Sequence, residues 1–401
     1  MMLFKVSDIM PKNRERRLAR VGLSFLLVAA LSLLASGCMP GGTFVDYRKS
    51  FRLDRPPVVV TTEPILTANT LTPHNTHRLT EVVVLAGNHS SPIADIAFSD
   101  MGRTMFGIHA TGGWVEGWDI KENAHIFETK TGPVGIIGAA FSPDLKYVAQ
   151  VAGANRTLKD TGLLADFDGI RIYLVETGEM IWQSRVSKWS SPSNMAAWSP
   201  DGTLLAEQDS GSISVESTGQ WTGGLAIGLS IIEDIEGPPA DLTSVSFDST
   251  GKWLLVGTDQ GNVDVEGIRD NKESDLLSLP DKDFVLNAIS SPSNHYIAAV
   301  GTTRLVVWDT AKLNRWFSGG GINLYVTHDY TPAADLAFSP DGKLLAVGMQ
   351  DMWQIWSVEQ GKLLVEHPQG SYALTFSPDG RLFVWGDLDG NVHIWGVSDE
   401  K

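Results

Sequence analysis

One recurring unit constrains this chain more than its composition does. It is clearest at residues 337–358, AFSPDGKLLAVGMQDMWQIWSV. A strand ends at Ala337-Phe338. Ser339-Pro340-Asp341-Gly342 then turns the chain, because proline presets φ and aspartate and glycine suit a tight turn. Residues 343–348 and 353–358 read as second and third strands. The same unit returns at Phe376-Ser377-Pro378-Asp379-Gly380 and ends at Ile394-Trp395. Taking the residue before the turn as a marker, copies fall at Phe98, Phe141, Trp198, Phe247, Ser290, Phe338 and Phe376, 38 to 57 residues apart. The residue before the marker is small in six of these copies (Ala97, Ala140, Ala197, Ser246, Ala337, Thr375) and Ile289 in the other. A small residue beside a large aromatic suits a strand pressed between neighbours at a crowded axis. Repetition at this period marks a supersecondary module stacked on copies of itself. A β-sandwich of hairpins is the other all-β reading, but sandwiches do not repeat their turn chemistry so regularly.

The predicted third strands end in Trp118-Asp119 and Trp308-Asp309. Trp356 and Trp395 keep the tryptophan, and Tyr173 stands in its place in the second copy. With Gly87-Asn88-His89 as a loose Gly-His pair, the unit resembles the WD40 propeller family, whose repeats run to ~40–45 residues. The resemblance covers residues 78–401 and implies an all-β, seven-bladed β-propeller of four-stranded antiparallel blades, serving as a platform for protein partners. The last repeat has three strands and lacks a fourth, while a spare apolar run, residues 81–86, precedes the first repeat. Pairing that run with residues 391–397 would close the ring and remove exposed sheet edges. Two insertions, residues 153–169 and 219–241, go to loops. The apolar residues 225–232 of the second read either as a fourth strand or as a contact loop.

The first forty residues read separately. Residues 12–20 are basic, residues 21–34 form a fourteen-residue apolar run, and Ala35-Ser36-Gly37 is small. That is the layout of a secretory signal, and the run is shorter than the ~20 residues of a spanning helix. The sole cysteine, Cys38, follows at once, and residues 34–38 resemble a bacterial lipobox. The resemblance implies cleavage between Gly37 and Cys38 and acylation of Cys38, anchoring the exported protein to the outer face of a bacterial membrane. A secreted protein or an uncleaved anchor are the alternatives, and Met10 is a second candidate start. The expected layout is a signal at residues 1–37, a tether at 38–77 and the propeller at 78–401. The formal charge is −16, and the first 37 residues carry a balance of +4, which leaves −20 for the rest. A surface this acidic repels phosphate and argues against nucleic acid.

Catalytic signatures are missing. There is no HExxH, Gly-x-Ser-x-Gly, phosphate loop or Cys/His metal motif, so no catalytic residue, metal ligand or cofactor is assigned. The nine histidines show no ligand spacing, and His109, His295 and His393 read as packing or surface residues. Residues 387–391 (Asp-Leu-Asp-Gly-Asn) resemble the start of a calcium loop but lack the distal glutamate, and a hairpin needs such residues anyway. Glu216 and Glu266 stand where tryptophan is expected in adjacent repeats. They are either a carboxylate pair or exposed strand residues. Trp114, Trp221, Trp316 and Trp353 lie in or beside turns and are the candidate interaction surface, with packing between blades as their other use. An enzyme or small-ligand binder at the central channel is the rival class. Its mark would be carboxylates, histidines or arginines converging there.

Overall fold

The structure, a computed structural model, describes residues 69–99, 102–132, 136–152, 169–183, 196–209, 212–219, 229–232, 242–268, 274–312, 322–325 and 333–397. The expected signal, Cys38 and residues 38–68 of the tether lie outside them. Among the described residues no helix is long and apolar enough to cross a membrane.

The strands form seven four-stranded antiparallel sheets. The chain enters through β1 (Thr80–Leu85). Blade 1 follows as β2 (Ile93–Phe98), β3 (Thr104–His109), β4 (Trp114–Asp119) and β5 (Ala124–Lys130). Blade 2 is β6 (Ile136–Phe141), β7 (Tyr147–Ala152), β8 (Gly169–Leu174) and β9 (Met180–Gln183). Blade 3 is β10 (Ala196–Trp198), β11 (Leu204–Asp209), β12 (Ser212–Ser217) and β13 (Leu229–Ile232), so part of the apolar run at 225–232 is a fourth strand. Blade 4 is β14 (Leu242–Phe247), β15 (Trp253–Thr258), β16 (Asn262–Gly267) and β17 (Ser274–Ser278). Blade 5 is β18 (Val285–Ser290), β19 (Tyr296–Gly301), β20 (Arg304–Asp309) and β21 (Ile322–Tyr325). Blade 6 is β22 (Ala333–Phe338), β23 (Leu344–Met349), β24 (Trp353–Ser357) and β25 (Lys362–His367). Blade 7 has β26 (Ala373–Phe376), β27 (Leu382–Gly386) and β28 (Val392–Gly396). The first strands of successive blades touch one another, and β26 touches β2, so the blades form a ring.

The second strand of each blade is sandwiched between neighbouring blades. In β23 all six residues are buried. Because side chains alternate in a strand, Leu345 and Val347 face blade 5 while Leu344 and Ala346 face blade 7. The apolar core is therefore seven slabs, one between each pair of adjacent blades. This is why the second strands read as nearly unbroken hydrophobic runs.

The turn after each first strand is held the same way seven times. The Ser339 hydroxyl accepts the Leu344 N–H at 3.0 Å and donates to Asp341 at 2.7 Å. Ser99, Ser142, Ser199, Ser291 and Ser377 accept the equivalent N–H in their own repeats. Where serine is missing, Asp248 takes its place and accepts from Trp253 at 2.9 Å. The turn's last residue is left-handed in every copy: Gly102, Leu145, Gly202, Gly251, Asn294, Gly342 and Gly380. Ser290 and its Pro-Ser-Asn turn, degenerate in sequence, thus keep the geometry. At Gly342 φ is +71° and a Cβ would meet only ordinary contacts at 3.7 Å.

The ring closes as the spare strand requires. β1 pairs antiparallel with β28, Val84 opposite His393 and Leu85 opposite Val392. Val83 and Leu85 fill the slab between blades 7 and 1. Residues 69–77, expected in the tether, are built onto the same blade. Asn69 N–H donates to Val397 O and Leu71 N–H to Gly380 O, both at 2.8 Å, and Leu71 is buried against Phe383 and Trp385.

Two outcomes follow. Gly342→Ala should cost about 1–2 kcal/mol in urea unfolding, since the left-handed backbone is the only penalty. Deleting residues 80–86 should bare the β28 edge and convert soluble protein to aggregate by size-exclusion chromatography. A soluble deletion that unfolds in one cooperative step would contradict closure by β1.

Candidate functional site

Among the described residues, a dense gathering of ionisable side chains lies in blade 1, where residues 86–92 cross from β1 to β2. At its centre is Glu116, the third residue of β4, with a fully buried side chain. Alternation puts Glu116 on the same face as Trp118. The Asn88 N–H donates to both of its carboxylate oxygens, at 2.9 and 3.1 Å. Three imidazoles surround it. His109, the last residue of β3 and also fully buried, brings Nε2 to 3.2 Å from Oε1. His89 brings Nε2 to 3.8 Å from the same oxygen, and His125, on β5, brings Nε2 to 3.4 Å from Oε2. Glu128, opposite Glu116 across the β4–β5 ladder, places Oε1 3.5 Å from His89 Nε2. Its Oε2 accepts from the Asn88 amide at 2.8 Å.

Each ring is oriented from behind. His109 Nδ1–H donates to Ser91 O at 3.1 Å, which leaves Nε2 pointing into the cluster. His89 stacks on Trp114, rings 4.1 Å apart and 9° from parallel. Burial raises the Glu116 carboxyl, but the His109 contact and the Asn88 N–H outweigh it, so its acidity ends stronger than usual. One ligand atom each from His89, Glu116 and Glu128 falls within 4.8 Å of the others.

A second cluster sits where β1 meets β28. His393 holds Glu81 through Nδ1 at 2.8 Å and Asp387 through Nε2 at 3.1 Å, and stacks on Trp385 at 4.0 Å. Burial opposes the charge on His393, but Asp387 and Glu81 together push its pKa above the ordinary value. Asp387 also accepts from Asn391 N–H, Asn391 Nδ2 and Asp389 N–H. Its oxygens are therefore committed to a hairpin turn and to histidine, not to the calcium loop that residues 387–391 resemble.

At the inner strands, Asp95 accepts the Phe141 N–H of blade 2 at 3.0 Å, and Asp335 accepts the Leu374 N–H of blade 7 at 2.9 Å. Each carboxylate thus caps an N–H on the free edge of the next blade's first strand. Burial pushes Asp95 up to about 6 and Asp335 to about 7, the Asp95 charge adding to the latter. Their oxygens are engaged by backbone N–H groups.

The interaction tryptophans divide. Trp114 is half-buried, with His89 on its ring and Lys130 Nζ 5.2 Å from its centroid. Trp353 is fully buried, within 4.9 Å of Phe383 and 5.2 Å of Trp395. It is inter-blade packing rather than contact surface, because its face of β24 looks into blade 7. Trp221 and Trp316 lie outside the described residues. The carboxylate acting on Glu266, raised by burial to about 7, is Asp264 on the same strand and not Glu216 of the adjacent blade. His109, expected as packing, is a member of the blade 1 cluster.

With this geometry in place, the known proteins can be compared. Residues 359–396 match the WD domain, G-beta repeat family. The match begins beside β25 and ends at β28, so the sequence repeat straddles blades 6 and 7. Mouse telomerase protein component 1 is 25% identical over 314 residues, 75% of this chain and 10% of that protein. Human echinoderm microtubule-associated protein-like 1 is 35% identical over 72 residues, 17% of this chain and 9% of that protein. The periodic tryptophan protein 2 homolog of Dictyostelium discoideum is 25% identical over 214 residues, 51% and 22%. The chain spans about a tenth of the telomerase component's length.

The buried acids and His393 set a direction with pH. Asp95 and Asp335 bind their protons more tightly when folded, so their contribution falls as pH rises from the ordinary carboxylate range through about 6 to 7. His393, with a raised folded pKa, contributes below its ordinary value and is lost as pH rises through the folded one. Glu81 and Asp387 are lowered, and their contribution is lost only at pH below the ordinary carboxylate range. Thermal melts in metal-free buffer at constant ionic strength should therefore give a higher Tm at pH 6 than at pH 8. A Tm that rises over that interval would contradict these assignments.

Proposed function

We propose that the protein is a membrane-anchored, extracytoplasmic WD40-like propeller acting as a protein-interaction scaffold. The observation that carries the scaffold role is the ring itself. Seven blades are locked by seven apolar slabs, and one serine or aspartate staple recurs in each first turn. Such a ring presents loops from several blades on one rigid frame. The matching relatives are WD-repeat proteins or proteins whose names describe components and associated factors.

The anchor rests on the sequence. A basic stretch, a short apolar run and small residues precede Cys38, the only cysteine. Acyl chains on that residue would hold the propeller to a bilayer, each buried methylene contributing ~0.8 kcal/mol. Residues 39–68 would then link that cysteine to Asn69, the first of the described residues.

The test combines fatty-acid labelling and crosslinking in the native cells, with Cys38→Ala alongside. The wild type is expected to take up the labelled acyl chain, sediment with membranes and crosslink to one dominant envelope protein. The variant is expected to lose the label and the membrane fraction. Unlabelled wild type, or a variant still sedimenting with membranes, would remove the lipid anchor. No enriched protein in either sample would remove the scaffold role and favour a small ligand at the channel.

A further inference from the structure

We infer that blade 1 carries a divalent transition-metal site, of the zinc class, formed by His89, Glu116 and Glu128, whose ligand atoms lie within 4.8 Å of one another, with the buried imidazole of His109 beside Glu116. The starting point is a pair of buried ring nitrogens aimed at one carboxylate. His109 must donate through Nδ1, because its partner there, Ser91 O, can only accept. That leaves its Nε2 facing Glu116 Oε1, 3.2 Å away, and His89 Nε2 faces the same oxygen at 3.8 Å.

Both nitrogens are buried and neither has a hydrogen-bond partner. A buried polar atom left without a partner is costly, and an ion set between His89 Nε2 and the two carboxylates would supply one.

The spacings match a metal. Ligand bonds of ~2.0–2.2 Å in a tetrahedron place neighbouring donor atoms about 3.3–3.6 Å apart. Among the three ligands His89–Glu128 is 3.5 Å and His89–Glu116 is 3.8 Å, and all three atoms lie within 4.8 Å of one another. One imidazole and two carboxylates suit zinc and its neighbours, whereas calcium and magnesium prefer all-oxygen shells. The outer groups are those a metal centre uses to aim its ligands. Ser91 O fixes the His109 tautomer, Trp114 flanks His89, and Asn88 steers both carboxylates. The Asn88 amide takes Glu128 Oε2 and leaves Oε1 facing His89. His125, on the other oxygen of Glu116, stands next to this set.

The location suggests what the ion would do. His89 sits on the segment leaving the closing strand β1, whereas Glu116 and Glu128 sit on β4 and β5. The same segment is threaded against blade 7: a Cβ on Gly87 would clash with Gly390 O. An ion here would tie that segment to the outer half of blade 1 and fasten the ring beside its seam.

The experiment uses the full chain in detergent, purified without a histidine tag, stripped with chelator and titrated with zinc chloride. Calcium chloride is the control. One zinc per chain is expected, with a Tm that rises on addition and falls back with chelator, and no response to calcium. His89→Ala and Glu128→Ala alter partly exposed side chains and should leave the fold intact by circular dichroism. Each should weaken zinc binding more than tenfold. Zinc binding unchanged in both variants would place the ion elsewhere and overturn the site. So would an absence of zinc binding.

Discussion

Everything in this fold depends on one pairing, β1 against β28. Each blade buries one face against the blade before it and the other against the blade after it. A row of such units has two raw faces and a free edge wherever it stops. The cost is removed only if the first and last units meet, and the chain arranges this by giving the last blade a strand from the beginning. Val83 and Leu85 complete the seventh apolar slab. The backbone ladder to residues 392–396 completes the seventh sheet. The offset between sequence repeat and blade, visible in the match to residues 359–396, follows from this arrangement.

The architecture was legible in the sequence because its determinants are local and repeated. Ser339-Pro340-Asp341-Gly342 announces a turn by its own chemistry. The degenerate copies remained readable because Asp248 performs the serine's task and Asn294 tolerates the glycine's backbone angle. Closure could be inferred because strands must be counted in fours, and residues 81–86 were the remainder. The start of the folded unit was harder to place. Leu71 lies outside any repeat, and its burial depends on a blade that comes three hundred residues later.

The blade 1 cluster was illegible for the same physical reason. Searches for metal ligands rely on short local spacings, as on a helix face or in a hairpin. His89, His109, Glu116 and Glu128 come from one crossing segment and three different strands, and only the ladder register brings them together. One signal was present: Val115-Glu116-Gly117-Trp118 puts a carboxylate in the middle of a strand whose neighbours are buried. The corresponding position holds Asp264, Gln354 and His393 in other blades, all buried. Trp353 misled in the opposite sense. A tryptophan beside a turn resembles a surface anchor, but strand alternation turned it inward.

The clip at residues 69–71 has its own consequence. A strand near the start of a domain is ordinarily where unravelling begins, one residue at a time, because nothing holds its outer end. Here the residues ahead of β1 are themselves bonded to Val397 and Gly380, and those behind it are gripped between blades 7 and 1. β1 has no loose end to peel from. Opening the ring therefore means releasing blade 7 as a block, a rare, large event in place of frequent small ones.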